Sequence, residues 1–363
     1  MTGVQATVVV VNHNYERFLA EAIDSALGQR DALVEVVVVD DGSTDGSRDV
    51  IRRYGRRVRP VFQANCGQAG AFNAGLAAAS GEIVVFLDAD DVLASDLVAR
   101  VTAAFAGDPG LVRVAYRLEI VDERGRPTGE LMPARDVAIP AGDVRRRVLA
   151  YGDDLAWPPT SGNAFAARAL RRVMPLPVTD DRIDADAWLH PTVPLLGTVA
   201  TLDGVGGAYR AHGANFAFRA GADVGRSRRV ISKTLRVREH VVALAAELGL
   251  GRPLGRSVTL AAHRLVSLRL GGPGHPVAGD TPLRAARDGM SAAWSRDDVS
   301  AARALALTGW FAAAAIAPRG VVRRLADAFF VPAHRPDVLR RLLAVRVQDA
   351  RPDAARRRSM ASS

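Results

Sequence analysis

The first hundred residues alternate between two patterns of hydrophobic and polar positions. Continuous runs of β-branched and other apolar residues are typical of parallel strands buried on both faces, and they occur at Thr7–Val11, Val34–Val39, Val58–Phe62 and Glu82–Leu87. Between these runs, apolar residues recur at the spacing of a buried helical stripe, which predicts helices over Tyr15–Gln29, Thr44–Tyr54 and Gln68–Ala79. This alternation predicts right-handed crossovers and an α/β fold with a doubly wound parallel sheet.

The pattern then changes along the chain. Asp96–Phe105 is predicted as a helix and Val112–Val121 as a strand, followed by a turn at Glu123–Glu130. Residues 140–220 mix short elements with many prolines and glycines, which is typical of substrate-binding loops. Beyond residue 222 the periodicity is helical, with helices predicted at Val224–Leu248, Leu254–Leu270, Pro282–Ala293, Asp298–Ile316, Pro318–Phe330 and Pro336–Ala350.

Charge divides the chain at about the same place. The net charge is +9, and residues 221–363 hold 25 Arg and Lys against 11 Asp and Glu, or +14, which leaves −5 for residues 1–220. We therefore predict one α/β domain over 1–220, a basic helical region over 221–350 and a disordered tail over 351–363. The basic region suits anionic lipid or a phosphate-bearing ligand, or it is simply a solvated helical surface. Because its basic stretches lack interleaved aromatic residues, we do not expect nucleic acid as a partner.

The cysteine content and the length of the apolar runs indicate in which compartment the protein works and whether it crosses a membrane. Cys66 is the only cysteine, so the chain has no internal disulfide, which fits a reducing compartment. The N-terminus lacks the basic segment and cleavage site of a secretory signal. The apolar run Ala304–Ala317 is shorter than the roughly 20 residues that cross a bilayer. We expect a soluble, cytoplasmic protein that is at most peripheral on the inner face of a membrane.

Polar residues without glycine follow the first predicted strand, at Asn12-His13-Asn14-Tyr15. Dinucleotide-binding domains and P-loop ATPases need glycines at that place, so that the backbone can close on phosphates. The sequence therefore speaks against both classes.

Two acidic stretches follow the second and fourth predicted strands, at the sheet edge where ligands bind. Asp40-Asp41-Gly42-Ser43 is either a plain turn or a turn with one carboxylate facing the crevice. In Asp88-Ala89-Asp90-Asp91, residues i and i+2 of an extended backbone project to the same side, so Asp88 and Asp90 can converge on Mg²⁺ or Mn²⁺. Alternatively, this stretch caps the helix predicted at Asp96, with Asp91 as the capping residue.

These residues carry a family resemblance. The segments TVVVVNHNYERFLAEAIDSAL, VEVVVVDDGSTDGS and NCGQAGAFNAGLAAASGEIVVFLDADD resemble, in this order, the nucleotide-sugar half of family 2 glycosyltransferases, which have the GT-A fold. The similarity runs from residue 6 to about 105, resumes at 158–170 and 183–215, and does not include the C-terminal region. It implies a mixed, mainly parallel sheet flanked by helices, with a nucleotide-sugar half over about 1–105 and an acceptor half over about 106–220.

The resemblance also implies a nucleotide-binding set and a metal-binding set. Asp40 would bind the base, usually uracil, and the other members of the nucleotide set are Asn12, Asn14, Asn65, Gly67 and Asn73. Asp88 and Asp90 match the family's D-x-D motif, with Asp90 as the closer metal ligand and Asp88 nearer the ribose. His212 ends a Y-R-x-H motif and would complete the metal or pyrophosphate site.

A third acidic stretch would supply the chemistry. Asp184 and Asp186 match the family's E-D-x-D pattern, in which the first aspartate of the pair, Asp184 here, is the general base. A carboxylate at that place can take the proton of an acceptor hydroxyl as its oxygen attacks C1 of the sugar.

Several positions depart from the family pattern. His13 stands where tyrosine is frequent, Phe72 where many members have arginine, and Ile183 where the pattern has glutamate. Processive members carry Q-x-x-R-W, whereas the nearest match here, Gln348–Arg351, lacks the tryptophan, so we expect a single transfer.

The sequence thus predicts a metal-dependent, inverting glycosyltransferase with a UDP-sugar donor and a hydroxyl acceptor, acting in cell-surface polysaccharide or glycolipid assembly. Its basic C-terminal region could contact anionic lipid or another copy of the chain. The alternatives are a non-catalytic sugar-nucleotide-binding or scaffold protein of the same fold, or a sugar-phosphate nucleotidyltransferase. The last class generally opens with a glycine-rich loop that Asn12–Tyr15 does not provide.

Overall fold

The computed structural model describes residues 5–151, 154–178, 185–212, 223–251 and 254–330. A nine-stranded sheet forms their centre, with helices on both faces and a helical C-terminal region. The strands are β1 Ala6–Asn12, β2 Val34–Asp41, β3 Arg59–Gln63, β4 Ile83–Asp88, β5 Val92–Leu93, β6 Leu111–Val121, β7 Pro127–Met132, β8 Asn163–Ala166 and β9 Thr198–Arg210. The helices are α1 Glu16–Leu27, α2 Ser47–Arg53, α3 Gly67–Ala78, α4 Leu97–Gly107, α5 Arg145–Tyr151, α6 Ala167–Val173, α7 Ala185–Thr192, α8 Val224–Glu247, α9 Val258–Leu270, α10 Pro282–Ser295, α11 Ala301–Ile316 and α12 Arg319–Phe330.

The strand order is β3-β2-β1-β4-β8-β6-β9-β5, with β7 paired to β6. The first four strands are parallel, which confirms the prediction for this half of the sheet. The other half is mixed: β8 lies antiparallel between β4 and β6, whereas β9 runs parallel to β6. Neither β8 nor β9 was predicted, and the predicted turn after β6 partly forms β7, which pairs antiparallel with it.

Both faces of the parallel half are covered, which explains its continuous apolar runs. On β1, Val8 and Val10 pack in the cluster that contains Leu19 and Ile23 of α1, while Val9 packs in the opposite cluster with Phe72 of α3. The helix α3 lies very close to the sheet, because a Cβ on Gly75 would stand 2.3 Å from the Val9 side chain. Small residues in α3 therefore hold it against the strands whose ends form the candidate site.

The C-terminal helices were predicted within a few residues of their ends. Helix α9 lies among α8, α10, α11 and α12, and its Ala262 and Leu265 pack in a separate core with Phe311 of α11. Within the described residues, no helix combines the length and apolarity needed to cross a bilayer. The predicted helix 336–350, the tail 351–363 and the domain boundary at 220/221 lie outside the described residues.

Candidate active site

The sheet brings the predicted site residues to one edge. Strands β1, β2 and β4 run parallel, and their register places Asn12 opposite Asp40 and Val11 opposite Asp88. The ends of all three strands therefore meet, as expected for a ligand crevice at the carboxyl edge of parallel strands.

Asp40 is a buried anchor of this edge. Its side chain has no exposed surface, and its oxygens accept from the Asn12 amide (3.1 Å), the Ser43 backbone (3.3 Å) and the Arg48 guanidinium (2.9 Å). In this structure the Asp40 carboxylate orients Asn12 and Arg48, and its predicted contact with the base stays a prediction. The Asn12 Oδ1 atom is buried and has no hydrogen-bond partner in the described part of the chain, so it remains available to a donor.

His13 and Asn14 form the exposed rim of the pocket. The His13 Nδ1 atom lies 2.8 Å from the Asp41 carbonyl oxygen, which can only accept, so Nδ1 is the donor in this contact. The Asn65 amide nitrogen lies 3.1 Å from the His13 Nε2 atom. Asn14 has a φ of 60°, and its Oδ1 accepts from the Thr44 backbone at 2.7 Å, which ties the β1 loop to the β2 loop.

Asp41 fixes the start of α3. Its carboxylate accepts from the Gln63 side chain (2.6 Å) and from the backbone N–H groups of Cys66 (2.8 Å) and Gly67 (2.7 Å). Gly67 has a φ of 74°, a conformation that favours glycine, so the turn that places Asn65 beside His13 requires it. The Asn73 amide bonds the Leu176 backbone as both donor (2.9 Å) and acceptor (2.7 Å), and its predicted place in the nucleotide set stays a prediction.

Three aspartates crowd the end of β4. Burial raises the pKa of Asp88 well above its ordinary value, and the negative charges of Asp90 and Asp186 raise it further, against hydrogen bonds from Gln68 and Thr160. Burial and then the charges of Asp90 and Asp88 also raise the pKa of Asp91. Such mutual repulsion indicates a place where a cation belongs.

His212 and Asp90 are brought together as predicted. The His212 Nε2 atom lies 2.9 Å from an Asp90 carboxylate oxygen, and both side chains are largely buried. The ring of His212 stands 5.7 Å from Tyr15 and 5.3 Å from Phe18, measured between centroids, so α1 and the residue before it hold the imidazole in place.

Asp91 does not cap the next helix. Its side chain is buried and accepts from the Arg210 backbone at 3.0 Å, while the N-cap of α4 is Asp96, which makes no capping hydrogen bond with its side chain. Arg210 in turn donates to the Asp90 carbonyl at 3.0 Å. Asp91 and Arg210 therefore fasten the end of β9, and with it His212, to the D-x-D turn.

Asp186 reaches the same turn from α7. Its carboxylate accepts from the Thr160 hydroxyl at 2.8 Å, and the Gln68 amide donates to both Thr160 (3.3 Å) and Asp88 (3.2 Å). Asp184, the predicted base, lies outside the described residues, as do its neighbours back to 179. Trp188 is 7% exposed and packs in the core, so it does not offer a stacking surface to an acceptor.

A buried arginine beneath this site was not foreseen. Arg113 of β6 is fully buried, donates to the Asn163 side chain, and stacks 4.0 Å from the centroid of the Trp157 ring. Asn163 donates to the Pro159 carbonyl at 2.7 Å, which orders the loop that holds Thr160. Burial lowers the pKa of Arg113 to about 9, although the negative charge of Asp186 opposes this, so the group stays cationic at neutral pH. The signal in the sequence was Arg113, the first of two arginines in the largely apolar strand LVRVAYRLEIV.

The donor set fits a divalent cation bound together with a phosphate ligand. Among the described residues, no three His, Cys, Asp or Glu side chains form a closed metal cage. Mg²⁺ in nucleotide sites is usually held by one or two carboxylates, with waters and substrate phosphates completing the shell. The carboxylates of Asp88 and Asp90 offer hard oxygen donors of this kind, and a cation between them would reduce the repulsion that raises the pKa of Asp88.

Known proteins similar to this chain are glycosyltransferases. Residues 7–175 match the family model described as Glycosyl transferase family 2. An uncharacterized glycosyltransferase of Nostoc sp. is 39% identical over 213 residues, which make up 58% of this chain and 65% of that protein. The succinoglycan biosynthesis protein ExoO of Rhizobium meliloti is 37% identical over 122 residues, or 33% of this chain and 35% of that protein. The matched part of the chain therefore spans less than two thirds of either relative.

Among solved structures, TarS 1-349 of S. aureus matches with a TM-score of 0.51 and 16% sequence identity. The match covers 90% of this chain and 91% of that one, so it includes helices of the C-terminal region. At this identity the likeness concerns the fold alone, and it supports the predicted GT-A architecture.

Proposed function

We propose that this chain, whose residues 7–175 match the Glycosyl transferase family 2 model, is a glycosyltransferase of that family. It would transfer one sugar from a nucleoside diphosphate, UDP in the first instance, to a hydroxyl acceptor with inversion at C1. The observation that carries the proposal is the convergence of Asp88, Asp90 and Asp186 at one sheet edge, where two of them raise the pKa of the third.

The nucleotide would lie across the ends of β1 and β2. His13 and Asn65 are joined there by a hydrogen bond, and the orphaned Asn12 Oδ1 faces no protein donor in the described residues. Arg48, anchored by Asp40, stacks 5.6 Å from the centroid of the half-exposed Phe62 ring at the neighbouring strand. These groups offer hydrogen bonds and an aromatic face, which suit a base and ribose.

Asp88 and Asp90 would hold a divalent cation, with His212 orienting Asp90. When bound, the cation would stabilise negative charge on the leaving diphosphate. Asp91 and Arg210 keep the D-x-D turn in register with β9, and Arg113 supplies the nearest fixed positive charge under Asp186.

The base is one of the two aspartates at the start of α7. We propose Asp184 as the base because it matches the family pattern. Asp186 accepts a hydrogen bond from the Thr160 hydroxyl, on the side of Asp88 and Asp90. In the reaction, the acceptor oxygen forms a bond to C1 while the bond from C1 to the diphosphate oxygen breaks. The acceptor proton passes to the carboxylate base.

Polysaccharide assembly is the proposed setting. The supporting observation is the printed role of the relative from Rhizobium meliloti in succinoglycan biosynthesis. Because that match covers only 33% of this chain, the acceptor is proposed as a class, a glycan or glycolipid hydroxyl.

The test is a transfer assay on the full chain with UDP-, GDP- and dTDP-sugars, with and without Mn²⁺, and with anomeric analysis of the product by NMR. We expect metal-dependent consumption of one donor and an inverted anomeric bond. Asp184→Asn or Asp186→Asn should remove transfer while nucleotide binding persists, whereas Asp180→Asn, in the same acidic stretch, should not. Nucleotide binding without transfer, unchanged by either substitution, would instead indicate a binding protein.

A further inference from the structure

One glutamine side chain joins separate parts of the candidate site. Gln68 lies in the first turn of α3, directly after Gly67, whose backbone N–H donates to the Asp41 carboxylate at 2.7 Å. From this fixed point the Gln68 amide nitrogen reaches an Asp88 oxygen at 3.2 Å and the Thr160 hydroxyl at 3.3 Å. A residue of α3 therefore contacts both the D-x-D turn and the loop that contains Thr160.

The oxygen of the same amide binds the start of α7. It accepts from the backbone N–H of Ala185 at 2.9 Å. The first N–H groups of a helix have no partner within the helix, so a side chain from elsewhere can satisfy one of them. Because Ala185 has no exposed surface, water cannot readily replace the Gln68 oxygen. Gln68 thus holds α7 at the residue that Asp184 and Asp186, the two candidate bases, flank in the chain.

The partners of Gln68 fix the direction in which its amide points. Ala185 offers an N–H, which must meet the amide oxygen, whereas the Asp88 carboxylate accepts and must meet the nitrogen. The Thr160 hydroxyl donates to Asp186 at 2.8 Å, so its oxygen can accept from Gln68. Turning the amide over would oppose N–H to N–H and oxygen to oxygen. One orientation therefore satisfies every contact, and it links Asp88 to Asp186 and to the helix that carries Asp186.

A second glutamine has the same bonding pattern away from the site. Gln29 follows α1, is half-buried like Gln68, and donates to the backbone oxygens of Ser25 and Ala94 at 2.9 Å each. Its own oxygen accepts from the Val98 N–H at 2.9 Å, in the first turn of α4. All of these partners are backbone groups outside the candidate site. Gln29 therefore shows what such an amide does for the fold alone, whereas Gln68 bonds two side chains of the site.

We propose that Gln68 is a positioning residue for the transfer reaction: its single amide sets the place of α7, and with it the two candidate bases, relative to the D-x-D pair. The inference rests on the proposed function, in which α7 supplies the base. That base must lie within hydrogen-bond reach of the acceptor hydroxyl while the diphosphate is held at the other side of the site. Because a misplacement of about 1 Å can lower a rate about a hundredfold, losing Gln68 should affect turnover more than donor binding.

The test compares Gln68→Met in the full chain with Gln29→Met as the matched control. Methionine keeps the length of the side chain and removes its hydrogen bonds. In Gln68→Met, turnover with saturating donor should fall by about thirtyfold to a hundredfold, while the Kd of UDP, measured calorimetrically with Mn²⁺, should change less than about threefold. Gln29→Met also loses three hydrogen bonds, yet it should change turnover and Kd less than about twofold.

A second variant tests one arm of the same network. Thr160→Val removes the hydroxyl that bonds Asp186 and leaves the bond from Gln68 to Ala185 in place. It should also lower turnover while the Kd of UDP is kept. Urea unfolding checks that each variant is folded, and Thr160→Val carries the kinetic test if Gln68→Met does not fold.

Amide hydrogen exchange in the free protein gives a readout that needs no turnover. Mass spectrometry of peptides that contain Ala185 measures exchange at the start of α7. In Gln68→Met this amide should exchange about tenfold faster than in the wild type, because a buried N–H loses its partner. Gln29→Met should leave exchange at Ala185 unchanged and increase it at Val98, where its own bond is lost.

Transfer by Gln68→Met at the wild-type rate would overturn the inference. So would a loss of UDP affinity as large as the loss of turnover, since Gln68 would then act in nucleotide binding alone. Unchanged exchange at Ala185 in Gln68→Met would overturn it too, whether or not the wild type transfers sugar. A wild type that binds UDP but consumes no donor would refute the proposed function instead, and the exchange measurement would still decide whether Gln68 holds α7.

Discussion

The end of β4 and the C-terminal helices of this protein treat buried carboxylates in opposite ways. In the helical half, Asp280 has no exposed side-chain surface, and it pairs with Arg264 at 2.7 Å and His275 at 3.0 Å. Although burial alone raises the pKa of Asp280, the hydrogen bonds and charge of Arg264 lower it below its ordinary value. In the sheet half, burial and then neighbouring negative charges raise the pKa values of Asp88 and Asp91.

This comparison distinguishes buried carboxylates that stabilise the fold from buried carboxylates that indicate a ligand. A buried carboxylate that serves the fold has its counter-ion built in, because leaving it unpaired costs several kcal/mol. A group of carboxylates left without counter-ions destabilises the protein alone and indicates a ligand that brings positive charge. At the end of β4, Asp88 and Asp91 have pKa values raised by burial and by neighbouring carboxylates, which is closer to this second situation.

The largest expected effect is on catalysis at the unbalanced group. Asp90→Asn removes one proposed metal ligand and the partner of His212, so we expect the transfer rate to fall by about a thousandfold or more, as when other transition-state charge stabilisers are removed. Initial rates with saturating donor measure this. Asp96→Asn, at an exposed aspartate a few residues on, is the control and should change the rate less than about twofold. Equal effects of the two substitutions would contradict the assigned role of Asp90.

The second prediction concerns the free energy of unfolding. We expect it to fall when a buried carboxylate of the C-terminal helices is neutralised, and to stay the same or rise when one at the end of β4 is neutralised. Asp280→Asn breaks a buried pair and should lower the free energy of unfolding by about 3 kcal/mol. Asp91→Asn removes one of several repelling charges, and should leave stability at neutral pH unchanged or raise it. The reason is the sign of the shift: a carboxyl whose pKa is raised on folding stabilises the fold at low pH and loses that contribution as pH rises.

Urea unfolding of both variants at neutral pH measures these changes. Asp327→Asn, another aspartate of the helical half that is not fully buried, is the comparison for Asp280→Asn. If Asp91→Asn destabilised the protein as much as Asp280→Asn does, the carboxylates at β4 would be compensated after all.

The smallest effect is an acid sensitivity of the helical half. Burial, and then the positive charges of Arg226 and Lys233, lower the pKa of His263 to about 3. The imidazole is therefore neutral in the fold but protonates in the unfolded chain near its ordinary value of 6.5, so stability is lost as pH falls from 6.5 toward 3. Between pH 7 and pH 5 the loss should be about 2 kcal/mol.

Chemical unfolding at several pH values, for the wild type and His263→Gln, measures this. The variant should lose much of the acid dependence, whereas His240→Gln, at an exposed histidine of α8, should keep it. An unchanged pH dependence in His263→Gln would show that other groups govern acid stability.

Much of the fold was predictable because its signals are local. β1, β2 and β4 have continuous apolar runs, and the helices α8 to α12 have clear periodicity, so short windows identified them. β9, with the sequence TVATLDGVGGAYR, has no apolar run and several glycines. It is a strand because β6 and β5 pair with it, and such long-range pairing leaves no local pattern.

Some features of the candidate site were likewise readable from the local sequence, whereas others depend on residues far away in the chain. The i, i+2 spacing of Asp88 and Asp90 was readable from the sequence, and so was the polar end of β2, whereas the burial of Asp40 beneath Arg48 is a three-dimensional property that the sequence does not show. Arg113 acts across the sheet on Asn163, 50 positions away in the chain, so no motif could have disclosed it. Sequence spacing predicts which residues converge, whereas the compensation of their charges depends on partners from distant strands.

The central claim is that the pKa values of Asp88 and Asp91, which are raised in the free protein, fall when a cation and a nucleotide bind. Isothermal titration calorimetry with Mn²⁺ and UDP, in two buffers of different ionisation enthalpy, measures the protons exchanged on binding. Because these groups have raised pKa values, we predict proton release on joint binding at mildly acid pH, and a smaller release in Asp88→Asn. UDP binding that needs no Mn²⁺ and exchanges no protons would contradict the account.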